Sequence, residues 1–344
     1  MPAVVKHRSS AIAIALAKLR IDPYVLALLA TVAIASLLPA RGSWVVVLNH
    51  ATTIAIGFLF FLYGARLSAK EALDGMRQWR LHAVALSSTY ILFPALGLAA
   101  RLLVPTVLTP ELYAGVMFLC CLPSTVQSSI AFTSIARGNV AAAICGASFS
   151  NLLGIALTPA LVAVLLVTKY GGVSLGSIRD IMLQLMVPFV AGQLMRRWIG
   201  GLVTRNKKVL GLVDRGSILL VAYSAFSAGV VAGIWGRLTP LSLLALAGVN
   251  IVLLAVVLGT TTWIARNLGF RREDEITIVF CGSKKSLASG IPMATVLFSA
   301  QTVGLIVLPL MLFHQIQLMT CAWLARRYAN RAKKLQAVAA DAGQ

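Results

Sequence analysis

Acidic residues are scarce in this sequence. Asp and Glu together account for 10 of its 344 residues, against 30 Lys and Arg. All ten lie in loops or at the ends of long apolar segments. This distribution argues against a proton relay of membrane carboxylates, and a dehydrated sodium ion would need hydroxyl, amide and carbonyl oxygens instead. The acids are Asp22, Glu71, Asp74, Glu111, Asp180, Asp214, Glu273, Asp274, Glu275 and Asp341.

Charged residues of either sign make up only 12% of the chain, whereas 59% of it is hydrophobic. So little polar surface is incompatible with a water-soluble globule of this length, and the composition predicts an integral membrane protein in a lipid bilayer. A helix needs about 20 apolar residues to cross about 30 Å of hydrocarbon. The sequence predicts ten such spans, at about 22–39, 44–64, 82–103, 111–136, 140–168, 174–195, 214–236, 239–264, 276–300 and 302–325.

The net charge of +20 does not form one dense patch with interleaved aromatic residues, which argues against a nucleic-acid partner. The basic residues instead alternate between loops. The N-terminal tail and the segments after the even-numbered spans hold 23 of them, and the intervening loops hold 5. The positive-inside rule then predicts that both termini are cytoplasmic and that the number of spans is even.

Motifs of catalysis and metal binding are also missing. The spans contain no His-Glu-x-x-His run, no paired carboxylates and no Ser/His/Asp set, and the five cysteines lack metal-ligand spacing. We therefore expect no enzymatic activity, no catalytic residue, no metal site and no resident cofactor. The N-terminal apolar run ends too early for a signal peptide, because Lys18 and Arg20 follow it, and an interfacial helix is favoured.

Two of the predicted spans are interrupted by polar residues. The fourth is interrupted at Cys121–Ser129 and the ninth at Cys281–Ser286. Pro123 removes a helical donor in the first, and Gly282 loosens the second. Interruptions at corresponding places in the two halves of a membrane chain indicate the binding site of a secondary transporter.

The spans of the second half follow those of the first by about 150–170 residues. Because five spans is an odd number, two such halves must have opposite orientations in the membrane. The predicted fold is therefore all-α, with ten transmembrane helices as two inverted five-helix repeats whose broken fourth and ninth helices cross. The predicted units are a cytoplasmic segment 1–20, a first repeat 21–168, a second repeat 174–325 and a basic cytoplasmic tail 326–344.

Lys284 and Lys285 fall at membrane depth, where one lysine costs about 2.5–3.5 kcal/mol on insertion scales. Two interpretations are open. The lysines bind an anionic solute together with hydroxyls and amides at the N-termini of the half-helices, or they cap exposed carbonyls at the end of the first half-helix without touching the solute. The candidate substrate ligands are Lys284, Lys285, Ser283, Ser286, Ser124, Thr125, Gln127 and Ser128.

Other features receive structural interpretations. Asn139 is expected to cap the fifth span, and small residues at Gly146, Ser150 and Gly154 are expected to allow close helix contact. His314 is the one imidazole candidate for proton coupling, although a hydrogen-bonded packing role is favoured. Single prolines in other spans are interpreted as ordinary kinks, at Pro94, Pro159, Pro188 and Pro309.

Three segments resemble the bile acid:sodium symporter superfamily, and most closely its branch of sodium/bile acid cotransporter 7 and bacterial homologues. They are Phe61–Ser68, Ala136–Asn139 with Gly154–Pro159, and Lys285–Met293. The resemblance covers about residues 22–325. It implies a panel domain from spans 1, 2, 6 and 7, a core domain from spans 3–5 and 8–10, location in a bacterial inner membrane, and sodium-coupled uptake of a small organic anion.

The chain departs from the family pattern where sodium would bind. The family's sodium-binding glutamate corresponds here to Phe280, and a glutamine after it corresponds to Lys284. The resemblance leaves Ser128, Ser129 and Asn151 as candidate ion ligands. Sodium symport therefore remains an expectation from the family, with sodium as the coupling ion.

Two function classes remain open. The first is a secondary transporter that moves an anionic solute by alternating access. The second is a regulatory membrane protein that affects ion or calcium homeostasis without substantial flux, as the resemblance to the cotransporter 7 branch also allows. A pair of broken spans with a polar, cationic lining favours the first class, because a scaffold without flux has no physical need for such a cavity.

Overall fold

A computed structural model describes residues 23–66, 78–167, 175–233, 236 and 238–341 of the chain. Within these ranges every regular element is helical, and no strand occurs. The predicted N-terminal segment 1–20 lies outside the described residues, as do the acids Glu71 and Asp74 of the loop after the second span.

The helices follow one another with short connections. They are α1 (Pro23–Leu37), α2 (Ser43–Arg66), α3 (Trp79–Leu103), α4 (Pro110–Cys121), α5 (Gln127–Ile135), α6 (Val140–Val162), α7 (Leu175–Arg205), α8 (Lys207–Val231), α9 (Pro240–Asn267), α10 (Arg272–Gly282), α11 (Leu287–Leu297) and α12 (Ala300–Asp341). A π-helical turn at Ser88–Leu92 widens the middle of α3, and another at Ala163–Val167 extends α6.

Six helical segments of the described chain are long and apolar enough to cross a membrane. They are Ser43–Arg66, Trp79–Leu103, Val140–Leu166, Lys208–Val231, Pro240–Asn267 and Ala300–Ala332. Each overlaps a predicted span, and α1 and α4 contain shorter apolar stretches. The chain is therefore an integral, multi-pass helical membrane protein.

Both predicted interruptions separate two short helices. The chain leaves helical conformation after Cys121 and resumes it at Gln127, and it does so again between Gly282 and Leu287. Each half-helix has only 9–12 residues, which is too short to cross the hydrocarbon alone. The two pairs α4/α5 and α10/α11 are therefore broken helices in the sense predicted.

Three helices continue well beyond the predicted spans. The sixth and seventh spans were expected to be separated by a loop from 196 to 213, yet α7 continues to Arg205 and α8 begins at Lys207. The tail predicted from residue 326 is helical as far as Asp341. The span limits followed hydropathy, whereas a polar helix that emerges into water keeps its backbone hydrogen bonds and need not end where the apolar residues do.

Helices α2 and α7 pack with their backbones in contact. A Cβ atom added to Gly64 would lie 2.0 Å from the carbonyl oxygen of Phe189, and one added to Gly192 would lie 2.0 Å from that of Phe61. Only glycine allows this approach, which is typical of membrane helices. Helix α1 packs on α8, which contacts α2 and carries Asp214 as an ion-pair partner of Arg66.

The remaining helices surround the two breaks. Helix α4 packs on α12 and α3, α10 packs on α9 and α3, and α5 lies against α6. Phe93 of α3 meets Phe313 of α12 edge to face, with ring centroids 6.0 Å apart in the buried core. Contacts of α8 with α11 and α12, and of α7 with α6, connect this group to the α1, α2, α7 and α8 group.

Two local predictions about α6 are confirmed. The side chain of Asn139 accepts a hydrogen bond from the Ala142 N–H and caps the helix. Gly154 allows contact with the first break, because an added Cβ would lie 2.8 Å from the Pro123 ring. The small residues therefore bring α6 directly against the interruption between α4 and α5.

Candidate functional site

The two breaks contact each other directly. The Ser124 hydroxyl donates to the carbonyl oxygen of Cys281 at 2.6 Å, and the backbone N–H of Ser286 donates to that of Pro123 at 2.8 Å. The Ser129 hydroxyl adds a bond of 3.1 Å to the Phe280 carbonyl. Each broken helix therefore satisfies part of the backbone that the other exposes.

Every carbonyl from Cys120 to Ser124 accepts a hydrogen bond from a residue outside α4. Such groups have no helical donor at a helix end, and in a membrane they need a protein partner. The carbonyls of Cys120 and Leu122 accept from the Lys285 ammonium, that of Cys121 from the Thr158 hydroxyl, that of Pro123 from the Ser286 N–H and that of Ser124 from the Asn151 amide.

At the end of α10, the last carbonyls before the second break accept hydrogen bonds from hydroxyl groups. The carbonyls of Phe280, Cys281 and Gly282 accept hydrogen bonds from Ser129, Ser124 and Ser88. The caps of the two helix ends therefore differ in charge: an ammonium group caps the end of α4, whereas neutral hydroxyl groups cap the end of α10.

Lys285 is fully buried, and its Nζ lies on three carbonyl oxygens. The distances are 2.9 Å to Thr89, 2.8 Å to Cys120 and 2.7 Å to Leu122. Carbonyls only accept, so the three N–H donors of an ammonium group match the three oxygens one to one. The ring of Phe93 closes a further side, with its centroid 4.1 Å from Nζ.

The Thr89 carbonyl is available because of the backbone of α3. It belongs to the π-helical turn, in which the Phe93 N–H bonds back to Ser88. Pro94 follows and has no N–H, so it leaves a carbonyl of this turn without a helical donor. Pro94, interpreted as an ordinary kink, thus also leaves free a carbonyl that Lys285 binds.

Lys284 points to the other side of the crossing and is equally buried. Its Nζ donates to the Ser128 carbonyl at 2.7 Å and lies 3.9 Å from the ring centroid of Phe132 and 5.4 Å from that of Phe280. Phe280 presents a ring face to this ammonium group. The structure thus pairs a buried cation with two aromatic rings beside the second break.

Gln317 on α12 supports the second break and was missed in the sequence. Its amide accepts from the Lys285 N–H at 2.9 Å and donates to the Lys285 carbonyl at 3.0 Å. It also bonds Nδ1 of His314 at 2.9 Å, so the histidine takes part in a hydrogen-bonded packing network. The sequence signal was an amide in an apolar span, three residues after His314 and two after another glutamine, Gln315.

The structure brings all the predicted substrate ligands to this crossing, but most of them already form hydrogen bonds within the protein. Ser283 donates to the Val279 carbonyl at 2.6 Å, and Ser286 caps α11 through the Ser289 N–H. Thr125 bonds the Ser128 hydroxyl at 2.6 Å. Of the eight, Gln127 is exposed and Ser128 is half-buried, so the accessible part of the site lies at the start of α5.

That start of α5 has no side-chain cap. Its N-cap residue is Val126, whereas α11 has Ser286 in the same position. The first-turn N–H groups of α5 therefore have no hydroxyl partner there, and such an end attracts anions. Nζ of Lys284 lies on the carbonyl of Ser128, the second residue of α5.

The candidate ion ligands lie close to this end. Ser129 is bonded to the Phe280 carbonyl, and Asn151 bridges the Ser124 carbonyl at 2.7 Å and the Ser289 hydroxyl at 2.9 Å. No cluster of three His, Cys, Asp or Glu side chains suited to a metal ion occurs in the described part of the chain. Any cation here would rely on hydroxyl, amide and carbonyl oxygens.

Comparison with known sequences finds relatives that match nearly the whole chain. The chain is 57% identical over 322 residues to an uncharacterized protein, PA2026, of Pseudomonas aeruginosa, which covers 93% of this chain and 97% of that protein. It is 53% identical over 317 residues to the "Putative symporter YfeH" of Escherichia coli, with 92% and 96% covered. It is 28% identical over 313 residues to the sodium/bile acid cotransporter 7 of Danio rerio, with 88% and 92% covered.

The sequence model of the SBF-like CPA transporter family (DUF4137) matches residues 22–330, which is nearly the whole chain. This range contains both breaks, both buried lysines and Gln317. It also agrees with the extent of the resemblance found in the three sequence motifs. The chain therefore belongs to the SBF-like CPA transporter family, in the bile acid:sodium symporter superfamily.

Proposed function

We propose that this protein is a secondary transporter that carries a small organic anion by alternating access, with its binding site at the crossing of α4/α5 and α10/α11. The observation that carries the proposal is the accessible, uncapped start of α5 beside a buried ammonium group. The names of two relatives, a symporter and a sodium/bile acid cotransporter, support transport.

The anion would bind to the first turn of α5. Backbone N–H groups and the positive end of the helix dipole favour a carboxylate or similar group there. Gln127 and Ser128 add donors from side chains at the accessible surface. Lys284 supplies positive charge from the buried side of this turn. Within the described residues its ammonium group donates one hydrogen bond, to the Ser128 carbonyl, and contacts two aromatic rings.

The remaining parts of the proposal concern topology and coupling. Ten spans in two inverted repeats, with cytoplasmic termini in a bacterial inner membrane, give the alternating basic loops their simplest explanation. Helices α1, α2, α7 and α8 would form the panel against which the other helices move. Sodium is the proposed coupling ion, with Ser128, Ser129 and Asn151 as its candidate ligands.

Thermal stabilisation of the purified protein by a panel of organic anions tests this function. We expect at least one mono- or dicarboxylate to raise the melting temperature of the wild type, and to raise it less in Lys284→Met. Arg197→Met is the matched control, because Arg197 is an exposed cation on α7 away from the crossing. An equal loss in both variants would indicate a nonspecific charge effect.

Repeating the titration with sodium replaced by N-methyl-D-glucamine tests the coupling ion. Stabilisation by the anion that requires sodium supports symport, whereas stabilisation that is independent of sodium contradicts it. If no anion stabilises the wild type, the regulatory alternative gains support.

A further inference from the structure

We propose that the carbonyl cage of Thr89, Cys120 and Leu122 is a site for a monovalent cation, and that Lys285 fills it permanently with a tethered one. Nζ lies 2.7–2.9 Å from the three oxygens and is completely buried. The inference concerns the ion requirement of the fold and does not depend on which solute is carried.

The geometry of the cage selects the class of cation. Carbonyl rings bind large monovalent cations by replacing their hydration shell. Divalent ions need shorter contacts, about 2.3–2.6 Å for calcium and about 2.0–2.1 Å for magnesium, and they prefer carboxylate ligands. Neither Lys285 nor any cage residue takes part in an ion pair within the described residues. A weakly hydrated monovalent ion such as ammonium or potassium therefore fits best.

The cage has two independent structural causes. Cys120 and Leu122 lie at the carboxyl end of α4, where the helix dipole is negative and helical donors are absent. Thr89 lies in the π-helical turn before Pro94. Since both causes are properties of the backbone, the three carbonyls would remain in place without the lysine side chain, and they would then be buried without a donor.

The tethered charge has a consequence for coupling. A tethered ammonium group cannot leave with the solute, so this position cannot release a metal cation on either side of a membrane or transmit the energy of a sodium or potassium gradient. It provides positive charge and connects α3 and α4 to the second break. Any exchangeable coupling ion must use other oxygens, such as those of Ser128, Ser129 and Asn151.

Truncation of the side chain tests the proposal. Lys285→Ala empties the cage, whereas Lys285→Met fills it with an apolar chain of similar length. The melting temperature of each variant is measured in ammonium, potassium, sodium and N-methyl-D-glucamine chloride at equal ionic strength and without any organic anion. We expect neither the wild type nor Lys285→Met to gain stability from ammonium or potassium relative to N-methyl-D-glucamine, although Lys285→Met should melt at a lower temperature than the wild type.

Lys285→Ala should melt at a lower temperature than the wild type in N-methyl-D-glucamine chloride, and saturating ammonium or potassium should raise it by about 5 °C. If the variant does not remain folded after solubilisation, the monodisperse fraction recovered in each salt is the readout, and ammonium or potassium should increase it. A response of Lys285→Ala that is the same in all four salts overturns the proposal. The proposal is also overturned if ammonium or potassium stabilises the wild type as much as Lys285→Ala, because the ion would then bind outside the cage.

Discussion

The side-chain amide of Gln317 holds both backbone groups of Lys285, accepting from its N–H at 2.9 Å and donating to its carbonyl at 3.0 Å. A residue of α12 thus provides the pairing that the interrupted helix lacks between Gly282 and Leu287. The lysine is fixed at its backbone by one helix and at its ammonium group by two others. Its position is therefore determined from both ends.

Replacing Gln317 with leucine removes this pairing. We expect Gln317→Leu to lower the free energy of unfolding by about 2–4 kcal/mol, because two buried backbone groups lose their partners. Thermal melting in detergent measures the change. Gln315→Leu is the control on the same helix, since the Gln315 side-chain oxygen has no hydrogen-bond partner among the described residues and its loss should cost little. Equal effects of the two substitutions would contradict the assigned role.

The two lysines should differ in their contribution to stability. Lys285→Met leaves three buried carbonyls without a donor, and we expect a loss of about 3 kcal/mol or more. Lys284→Met leaves one carbonyl without a donor and places a thioether beside two aromatic rings, which is a favourable contact. A loss of about 1–2 kcal/mol is expected there. Comparable melting temperatures for the two variants would argue against the capping geometry.

The contact between α2 and α7 should not tolerate a methyl group. Gly64→Ala places a Cβ 2.0 Å from a backbone carbonyl, so the helices must separate, at a cost of about 1–3 kcal/mol or more. Gly57→Ala on the same helix meets no atom within 4 Å and should be neutral or stabilising by up to about 1 kcal/mol. The melting temperatures of the pair separate steric contact from helix propensity. If Gly57→Ala is as harmful as Gly64→Ala, the close approach is not the cause.

Labelling should show that water reaches the start of α5. A hydrophilic maleimide is expected to react readily with Gln127→Cys and slowly with Ser129→Cys, because Gln127 is exposed and Ser129 is 0% exposed. The five native cysteines are buried and should give a low background. Mass spectrometry of the labelled protein measures both rates. Faster reaction at position 129 than at 127 would show that the accessible surface lies elsewhere.

The breaks, the buried lysines and the Asn139 cap could be predicted because each leaves a local signal: proline or glycine, charge in an apolar segment, and a capping residue before a helix. The partners of the lysines could not. Which carbonyls Lys285 reaches depends on how α3, α4 and α10 cross, and nothing near position 285 specifies that crossing. Pro94 illustrates the limit, because its missing N–H gains a role only when a distant ammonium group lies beside it.

Gln317 was missed for a related reason. An amide in an apolar helix reveals that it needs a partner but not where that partner is. The lengths of α7, α8 and α12 were underestimated because hydropathy reports the depth of the membrane and not the end of a helix. Chain segments that are polar and helical have no apolar signal to read.

Lys284 and Lys285 give the crossing positive charge, since neither forms an ion pair with a carboxylate within the described residues. Moving one elementary charge through a potential of 100 mV changes the free energy by about 2.3 kcal/mol. A mobile unit that carries Lys284 and Lys285 without carboxylate partners would therefore respond to the membrane voltage when empty, and much less when a dianion accompanies it. The electric field would then favour the inward-facing orientation of the empty protein in an energised cell.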